Sequence, residues 1–104
     1  LHMSLHTNKR YENEYVRMMI AQGHHCERVA GSGSGQDAVC DCVLFRDGKV
    51  YFVEVKATKT PKFYFRAQVK EQLGRMTSVA RKCNVGALLA IKYKYRGWTE
   101  EVLV

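Results

Sequence analysis

The sequence predicts an α/β fold, in which a central mixed five-stranded sheet is flanked by helices in the order αβββαββ. Three observations support this prediction. Residues 39–45 and 50–57 are rich in Val, Phe, Tyr and Leu and are separated by a short polar turn, which is the pattern of a β-hairpin. Apolar residues recur at helical spacing between residues 66 and 83. Residues 87–91 are all apolar, which is typical of a strand covered on both faces.

Length and charge indicate one domain with an anionic partner. The chain has 104 residues, a formal net charge of +7 and a pI near 9.4, so a polyanion is the expected partner and an acidic membrane surface the weaker alternative. No stretch is long and apolar enough to span a bilayer, and no signal peptide is visible, so a cytoplasmic location is expected. Residues 1–3 are interpreted as a vector remnant, which leaves residues 4–104 as the single domain.

The four cysteines are expected to be core thiols in a reducing compartment. They lack the spacing of a zinc site or of a paired CxxC motif. Cys40 and Cys42 lie two residues apart, so they are predicted to share one face of a strand. The cysteines are Cys26, Cys40, Cys42 and Cys83.

The first helix is predicted over residues 8–22 and ends at Gly23. Its predicted apolar stripe consists of Val16, Met19 and Ile20. Glu12 lies four residues before Val16, so it is expected to face inward, whereas Glu14 is expected to face solvent. The alternative is that the first helical turn frays and leaves Glu12 in water.

A short strand and a glycine-rich loop follow. Residues 24–30 favour a strand that contains Arg28. The next stretch, Gly31-Ser32-Gly33-Ser34-Gly35, lacks bulky side chains. It is either a plain loop or one whose amides and serine hydroxyls approach a phosphate backbone.

The hairpin carries charge inside apolar strands. Asp47 and Gly48 form its turn, and Asp41, Glu54 and Lys56 lie within its strands. Strand alternation puts Glu54 and Lys56 on one face, with Asp41 able to converge beside them. Burying these charges costs several kcal/mol per ion unless they are paired. A divalent metal ion is one compensating partner, and an internal salt bridge or a solvated sheet face is the alternative.

Basic and aromatic residues alternate in the connection to the second helix, residues 58–65, which contains Lys59, Lys62 and the sequence Phe63-Tyr64-Phe65. This pattern suits contact with a nucleic-acid strand, a subunit interface or a lid over the second helix.

The second helix is predicted over residues 66–83. Its expected core face is Val69, Leu73, Met76, Ala80 and Cys83. Gln72 borders this face and either reaches the acidic residues or covers the edge of the core. Two strands, over residues 87–95 and 98–104, complete the predicted fold.

Taken together, these residues resemble archaeal-type Holliday junction resolvases, within the PD-(D/E)xK, restriction-endonuclease-like superfamily. The resemblance covers residues 10–98. It rests on Glu12 ahead of Gly23, the stretch from Arg28 to Ser34, Asp41 thirteen residues before Glu54, Glu54-Val55-Lys56, residues 64–76 and Gly97-Trp98. The family's proline before the aspartate is Cys40 here, which puts the local strand geometry in doubt but not the chemistry.

The resemblance implies a restriction-endonuclease-like core and a Mg²⁺-dependent endodeoxyribonuclease, with Mn²⁺ able to substitute. It implies that Asp41, Glu54, the Val55 carbonyl and Glu12 hold the metal, and that Lys56 orients or activates the attacking water. The implied catalytic residues are therefore Glu12, Asp41, Glu54 and Lys56. The expected DNA contacts are Arg28, Ser32, Ser34, Lys59, Lys62 and Arg66.

The expected substrate is branched DNA, and the expected assembly is a homodimer, because symmetric cleavage of a four-way junction needs two active sites related by a twofold axis. Three alternatives stay open from sequence. One is another nuclease of the same superfamily, such as a nickase or a flap or mismatch endonuclease. A second is a nucleic-acid-binding module without catalysis, and a third is an RNA-processing endonuclease that works without metal.

Overall fold

The computed structural model describes residues 2–29 and 38–104, with side chains from residue 9 onward. Its elements are α1 (His2–Ala21), β1 (His25–Arg28), β2 (Cys42–Arg46), β3 (Lys49–Thr58), α2 (Ala67–Cys83), β4 (Gly86–Tyr93) and β5 (Gly97–Val102). This order confirms the predicted αβββαββ fold. The first helix begins at residue 2 rather than at the predicted residue 8.

The five strands form one mixed sheet in the order β1-β2-β3-β4-β5. All neighbouring pairs are antiparallel except β3 and β4, which are parallel. A parallel pair needs a crossover connection, and α2 supplies it. The helices cover opposite faces of the sheet, and each face has its own core cluster. The cluster under α1 includes Tyr11, Tyr15, Met19, Val53 and Val55. The cluster under α2 includes Leu73, Met76, Ala80, Leu89 and Ile91.

The turn between β2 and β3 is the predicted two-residue turn. Asp47 has φ of 54° and Gly48 has φ of 78°, and Arg46 pairs with Lys49 across the turn. Positive φ at both central residues matches the right-handed twist of the flanking strands, and Asp-Gly tolerates it.

Two predicted core positions are exposed. Ile20 is 53% exposed, whereas Tyr11 and Tyr15 are buried. The buried stripe of α1 therefore runs through residues 11, 12, 15 and 19, rotated from the predicted stripe. Cys83, the last predicted core residue of α2, is also exposed, because it is the final residue of the helix. Gly23, with φ of 94°, ends α1 as predicted.

Cys40 and Cys42 do not share a face, contrary to the prediction. Cys40 packs in the cluster under α2, and Cys42 packs in the cluster under α1. Strand alternation does not apply to this pair, because β2 begins only at Cys42. All four cysteines are free thiols, as expected, and three are buried.

None of the helices in the described part of the chain is long and apolar enough to cross a membrane.

Candidate active site

Asp41 lies just before the start of β2, where both its backbone and its side chain form hydrogen bonds with neighbouring segments of the sheet. Its backbone N–H donates to the Val53 carbonyl at 2.9 Å, and its carbonyl accepts from Val29 N–H at 2.8 Å. One carboxylate oxygen, Oδ2, accepts from Val55 N–H at 2.9 Å. The carboxylate therefore accepts the hydrogen bond that a backbone carbonyl would accept if the ladder between β2 and β3 continued past the start of β2. In this position, the carboxyl can be approached from both faces of the sheet.

Glu54 and Lys56 lie on the face of β3 that α2 covers, as strand alternation predicts. Lys56 Nζ lies 3.4 Å from Glu54 Oε2, and it donates a hydrogen bond to Gln72 Oε1 at 2.8 Å. The Glu54 carboxyl is also within hydrogen-bonding reach of Asp41. The predicted convergence of Asp41, Glu54 and Lys56 is thus present in the structure.

Glu12 approaches the same aspartate from the opposite face. It projects from α1, is 5% exposed and lies within hydrogen-bonding reach of Asp41. Arg28 Nη1 donates to Glu12 Oε1 at 3.3 Å. Glu12 therefore faces inward, as one of the two sequence interpretations held. We call Glu12, Asp41 and Glu54 the acidic cluster, with Asp41 linking the two glutamates across the end of β2.

The acidic cluster is short of positive charge. Burial, followed by repulsion from Asp41, raises the pKa of Glu12 to about 7, and Arg28 opposes this only in part. Burial and the Asp41 charge likewise raise the pKa of Glu54 to about 8, against the effect of Lys56. Burial raises the pKa of Asp41 too, although the Val55 N–H and Lys56 act in the other direction. The three carboxyls thus resist ionising together without a further cation.

A cleft of about 440 Å³ opens beside the acidic cluster. Asp41 and Glu54 contribute to one wall. The other wall is α2, through Gln68, Glu71, Gln72 and Arg75. These four positions lie at i, i+3, i+4 and i+7, so they form one polar face of the helix. Of these four residues, only Gln72 was predicted from sequence as a candidate to reach the site, although helical spacing alone groups all four.

The donor chemistry of the site fits a hard divalent cation. Carboxylate oxygens are the ligands that Mg²⁺ and Mn²⁺ prefer, and the raised pKa values show that an added positive charge would be stabilising. Among the side chains that the structure describes, those of residues 9–29 and 38–104, however, no three His, Cys, Asp or Glu are arranged to hold a metal ion. The carboxyls instead meet in pairs through Asp41.

The predicted DNA contacts fall into three groups. Arg28 lies in the site itself, against Glu12. Lys59, Lys62 and Arg66 are exposed in the connection between β3 and α2. Ser32 and Ser34 lie outside the described residues.

A second polar group, in which every charge is paired, could not be recognised from the sequence. Glu14, expected to face solvent, accepts from Lys92 Nζ at 2.8 Å and from Trp98 Nε1 at 3.0 Å. The Lys92 hydrogen bond chiefly holds the pKa of Glu14 below its usual value. Nearby, Glu100 accepts from the Tyr15 hydroxyl at 2.8 Å and pairs with Arg46 at 3.0 Å. We call this the paired network; its members are Glu14, Tyr15, Arg46, Lys92, Trp98 and Glu100.

This chain is similar to known proteins of one family. The sequence model of the archaeal Holliday junction resolvase (Hjc) family matches residues 3–102. A crossover junction endodeoxyribonuclease of Sulfolobus islandicus rod-shaped virus 1 is 25% identical over 88 residues, which are 85% of this chain and 73% of that protein. The structure of Archaeoglobus fulgidus Hjc, a Holliday junction resolvase from an archaeal hyperthermophile, is 29% identical, with a TM-score of 0.72. The match covers 89% of this chain and 73% of that one.

Proposed function

The chain belongs to the archaeal Holliday junction resolvase family, and from this premise we propose that it cuts four-way DNA junctions by hydrolysis that requires Mg²⁺. The observation that carries the proposal is the position of Asp41 at the end of β2, within reach of Glu12 on one face and Glu54 on the other. A structural salt bridge would not need this arrangement, because the arrangement brings carboxyls of like charge together and leaves them without enough cationic partners.

In this proposal, the acidic cluster binds the metal. Asp41 and Glu54 are the principal ligands, the Val55 carbonyl is a further ligand, and Glu12 completes the set from α1. When bound, Mg²⁺ supplies Lewis acidity to the phosphoryl group and makes water a stronger nucleophile. Mn²⁺ has the same preference for oxygen ligands and is expected to replace it.

Lys56 and Arg28 supply the positive charge that the protein itself brings to the scissile phosphate. Lys56 Nζ is held at the cleft by Gln72 and lies beside Glu54. From there it orients the water and donates to a phosphate oxygen as negative charge builds up in the transition state. Arg28, on the other side of Asp41, contacts the adjoining backbone.

Contacts away from the cut are proposed to be with phosphates. Lys59, Lys62 and Arg66 are exposed in the connection between β3 and α2 and do not lie on a helix that could read bases. Ser32 and Ser34 are proposed to add hydroxyl donors. Phosphate contacts position DNA without reading its bases. Recognition therefore depends on DNA shape, and affinity falls as salt rises.

We further propose that the protein acts as a homodimer. Two cuts placed symmetrically across a four-way junction need two active sites related by a twofold axis. A DNA substrate and three buried free thiols are compatible with the expected cytoplasmic location.

The test is incubation with a synthetic immobile four-way junction in Mg²⁺, in Mn²⁺ and in EDTA. The expected result is a pair of symmetric nicks with either metal and none in EDTA. Linear duplex and a flap substrate run in parallel as controls. Equal cleavage of all three substrates would indicate a different nuclease of the superfamily, and junction binding without cleavage in either metal would indicate a module that only binds DNA.

A further inference from the structure

Two connecting segments lie side by side at the end of the sheet beyond Lys56. One is residues 59–66, between β3 and α2, and the other is residues 94–96, between β4 and β5. Lys94 N–H donates to the Thr58 carbonyl at 3.0 Å, and Arg96 Nη2 donates to the Pro61 carbonyl at 3.3 Å. The segments meet because β3 and β4 are parallel neighbours, so their carboxyl ends emerge at one edge.

These segments expose three aromatic rings. Tyr64 is 58% exposed, Phe65 is 42% exposed and Tyr95 is 86% exposed. Phe63 packs partly into the core under α2 and contacts the Phe65 ring edge-on, with centroids 5.1 Å apart. The Phe65 ring is therefore held in place by its contact with Phe63. Exposed aromatic side chains on two adjacent surface segments are typical of an interaction site. We call Tyr64, Phe65 and Tyr95 the aromatic patch.

All the charged residues in the two segments that carry the aromatic patch are cationic. The two segments contain five cationic residues, Lys59, Lys62, Arg66, Lys94 and Arg96. Residues 55–66 and 91–97 contain no Asp or Glu. A twofold contact with a second copy would bring these cations together, which is unfavourable. Nucleic acid fits better, since it offers phosphates to the cations and flat bases to the rings.

We propose that the aromatic patch stacks against bases that are unstacked at the branch point of a DNA junction. This inference rests on the proposed function. In a linear duplex each base is already stacked on both sides, so only the phosphates are available to the patch. A branch point interrupts the stack and exposes ring faces. The connecting segment that carries Tyr64 and Phe65 starts just after Thr58, about 7 Å along β3 from Lys56, so this segment starts near the proposed cutting site. The aromatic patch therefore favours junctions over duplex.

The test compares the affinities of variants for a junction and for a linear duplex of the same arm sequence, in EDTA so that no cleavage occurs. The variants are Tyr64→Ala with Tyr95→Ala, and the matched Tyr64→Phe with Tyr95→Phe, which keeps the rings. The alanine pair should lower junction affinity at least about tenfold and leave duplex affinity within about twofold. The phenylalanine pair should bind as the wild type does. A 2-aminopurine placed at the branch point should lose part of its fluorescence on binding the wild type but not the alanine pair.

Three results would overturn the inference. Equal loss on junction and duplex would indicate a backbone contact or a damaged fold. Unchanged junction affinity would show that the rings do not touch DNA, and conversion of a dimer to monomers in sedimentation would make the patch a subunit interface. Because binding is measured without metal, a wild type that prefers junctions but never cuts them would contradict the proposed function and leave this inference standing.

A separate observation concerns Gln72, on the opposite wall of the cleft from the acidic cluster. Its Oε1 accepts from Lys56 Nζ at 2.8 Å, while the Glu54 carboxylate lies farther from that nitrogen, at 3.4 Å. An ammonium group carries three donors, so both contacts can be made at once. The Lys56 ammonium is therefore shared between the Gln72 amide oxygen and the Glu54 carboxylate, and it lies closer to the amide.

We infer that Gln72 is a positioning residue for Lys56, and this inference too rests on the proposed function. Without the amide, Lys56 would settle fully on Glu54. The ammonium would then be misplaced for the phosphate, and the carboxylate would be less free to bind a cation. The side chain of Gln72 is exposed and adds little to the core, so its loss should alter the reaction and not the fold.

The test uses Gln72→Met, which keeps the length but loses the acceptor, and Gln72→Glu, which keeps an acceptor oxygen at the same reach. Gln72→Met should slow single-turnover cleavage of the junction about tenfold, with junction affinity within about twofold and the unfolding temperature unchanged. Gln72→Glu should recover most of the rate. Weaker binding at an unchanged rate would show a direct DNA contact, and a lower unfolding temperature would show a structural role. A wild-type rate in Gln72→Met, or a wild type that does not cut, would also overturn the inference.

Discussion

Glu12 and Glu14 are two residues apart on α1, yet their environments are opposite. Glu12 lies against another carboxyl, and burial and repulsion raise its pKa to about 7. Glu14 lies against Lys92 and the Trp98 N–H, and the pKa of its carboxyl is lowered. The paired network has a donor for each of its carboxylates, whereas the acidic cluster places Glu12 and Glu54 each against Asp41, with partial support from Arg28 and Lys56.

Under the proposed function, the difference separates charge that stabilises the fold from charge that serves chemistry. Paired charges that are hydrogen-bonded can hold α1 against β4 and β5 at little net cost. Underpaired buried carboxyls work against folding and are retained only where they do something else. If this distinction is right, removing charge from the two groups should have opposite effects on activity and on stability.

The largest expected effect is on cleavage by Asp41→Asn. The amide keeps an oxygen for Val55 N–H but loses the negative charge that links Glu12 and Glu54. Junction cleavage should fall by about 10³-fold or more, while binding of the junction is kept or becomes tighter. Single-turnover cleavage and a binding titration check this. Cleavage at a wild-type rate would mean that Asp41 is not a metal ligand.

Glu12→Gln should give a smaller loss of cleavage, about 10²-fold, because this glutamate completes the cluster from the face of the sheet that α1 covers. In the absence of metal at pH 8, the same change should raise the free energy of unfolding by about 1 kcal/mol, since it removes a carboxyl that resists ionising. Thermal unfolding with and without Mg²⁺ measures this. A destabilised variant at pH 8 would place Glu12 among the stabilising charges, with Glu14.

The acidic cluster should also make metal-free stability fall as pH rises. Folding raises the pKa values of Glu12 and Glu54 from about 4.5 to about 7 and about 8. Between pH 5 and pH 8, the folded state therefore holds protons that the unfolded state has released, so stability is lost as pH increases. The unfolding temperature should fall across this range in EDTA. Mg²⁺ should restore more of it at pH 8 than at pH 5, where protons compete for the carboxyls.

The smallest expected effect is that of Glu14→Gln, which weakens the paired network. Losing the ion pair with Lys92 at a half-buried position should cost about 1 kcal/mol, or roughly 5 °C in unfolding temperature. Junction cleavage should stay within about twofold of wild type. Loss of cleavage comparable with that of Glu12→Gln would erase the contrast between the two groups.

The second helix and the hairpin show how much of the fold is readable from the sequence. The face formed by Leu73, Met76 and Ala80 is buried as predicted, because helical periodicity is set by local backbone geometry. The turn at Asp47-Gly48 is equally local. The family resemblance implied roles for Asp41, Glu54 and Lys56, and the structure brings these three side chains together.

Other features could not be read in this way. Glu14 was expected to face solvent, but it meets Lys92 and Trp98, 78 and 84 residues away in sequence. Ile20 was expected to be buried, but α1 presents Tyr11 and Tyr15 to the sheet instead. The rotation of a helix about its axis depends on what it packs against.

The sequence by itself determined the order of the elements, the hairpin turn and the shared face of Glu54 and Lys56, because each follows from backbone periodicity over a few residues. Only the tertiary structure decided that Asp41 lies just before the start of β2, between Glu12 on one face of the sheet and Glu54 on the other. That position depends on where β2 begins and on how α1 crosses the sheet. Both are set by long-range packing and strand register, which a local pattern does not contain.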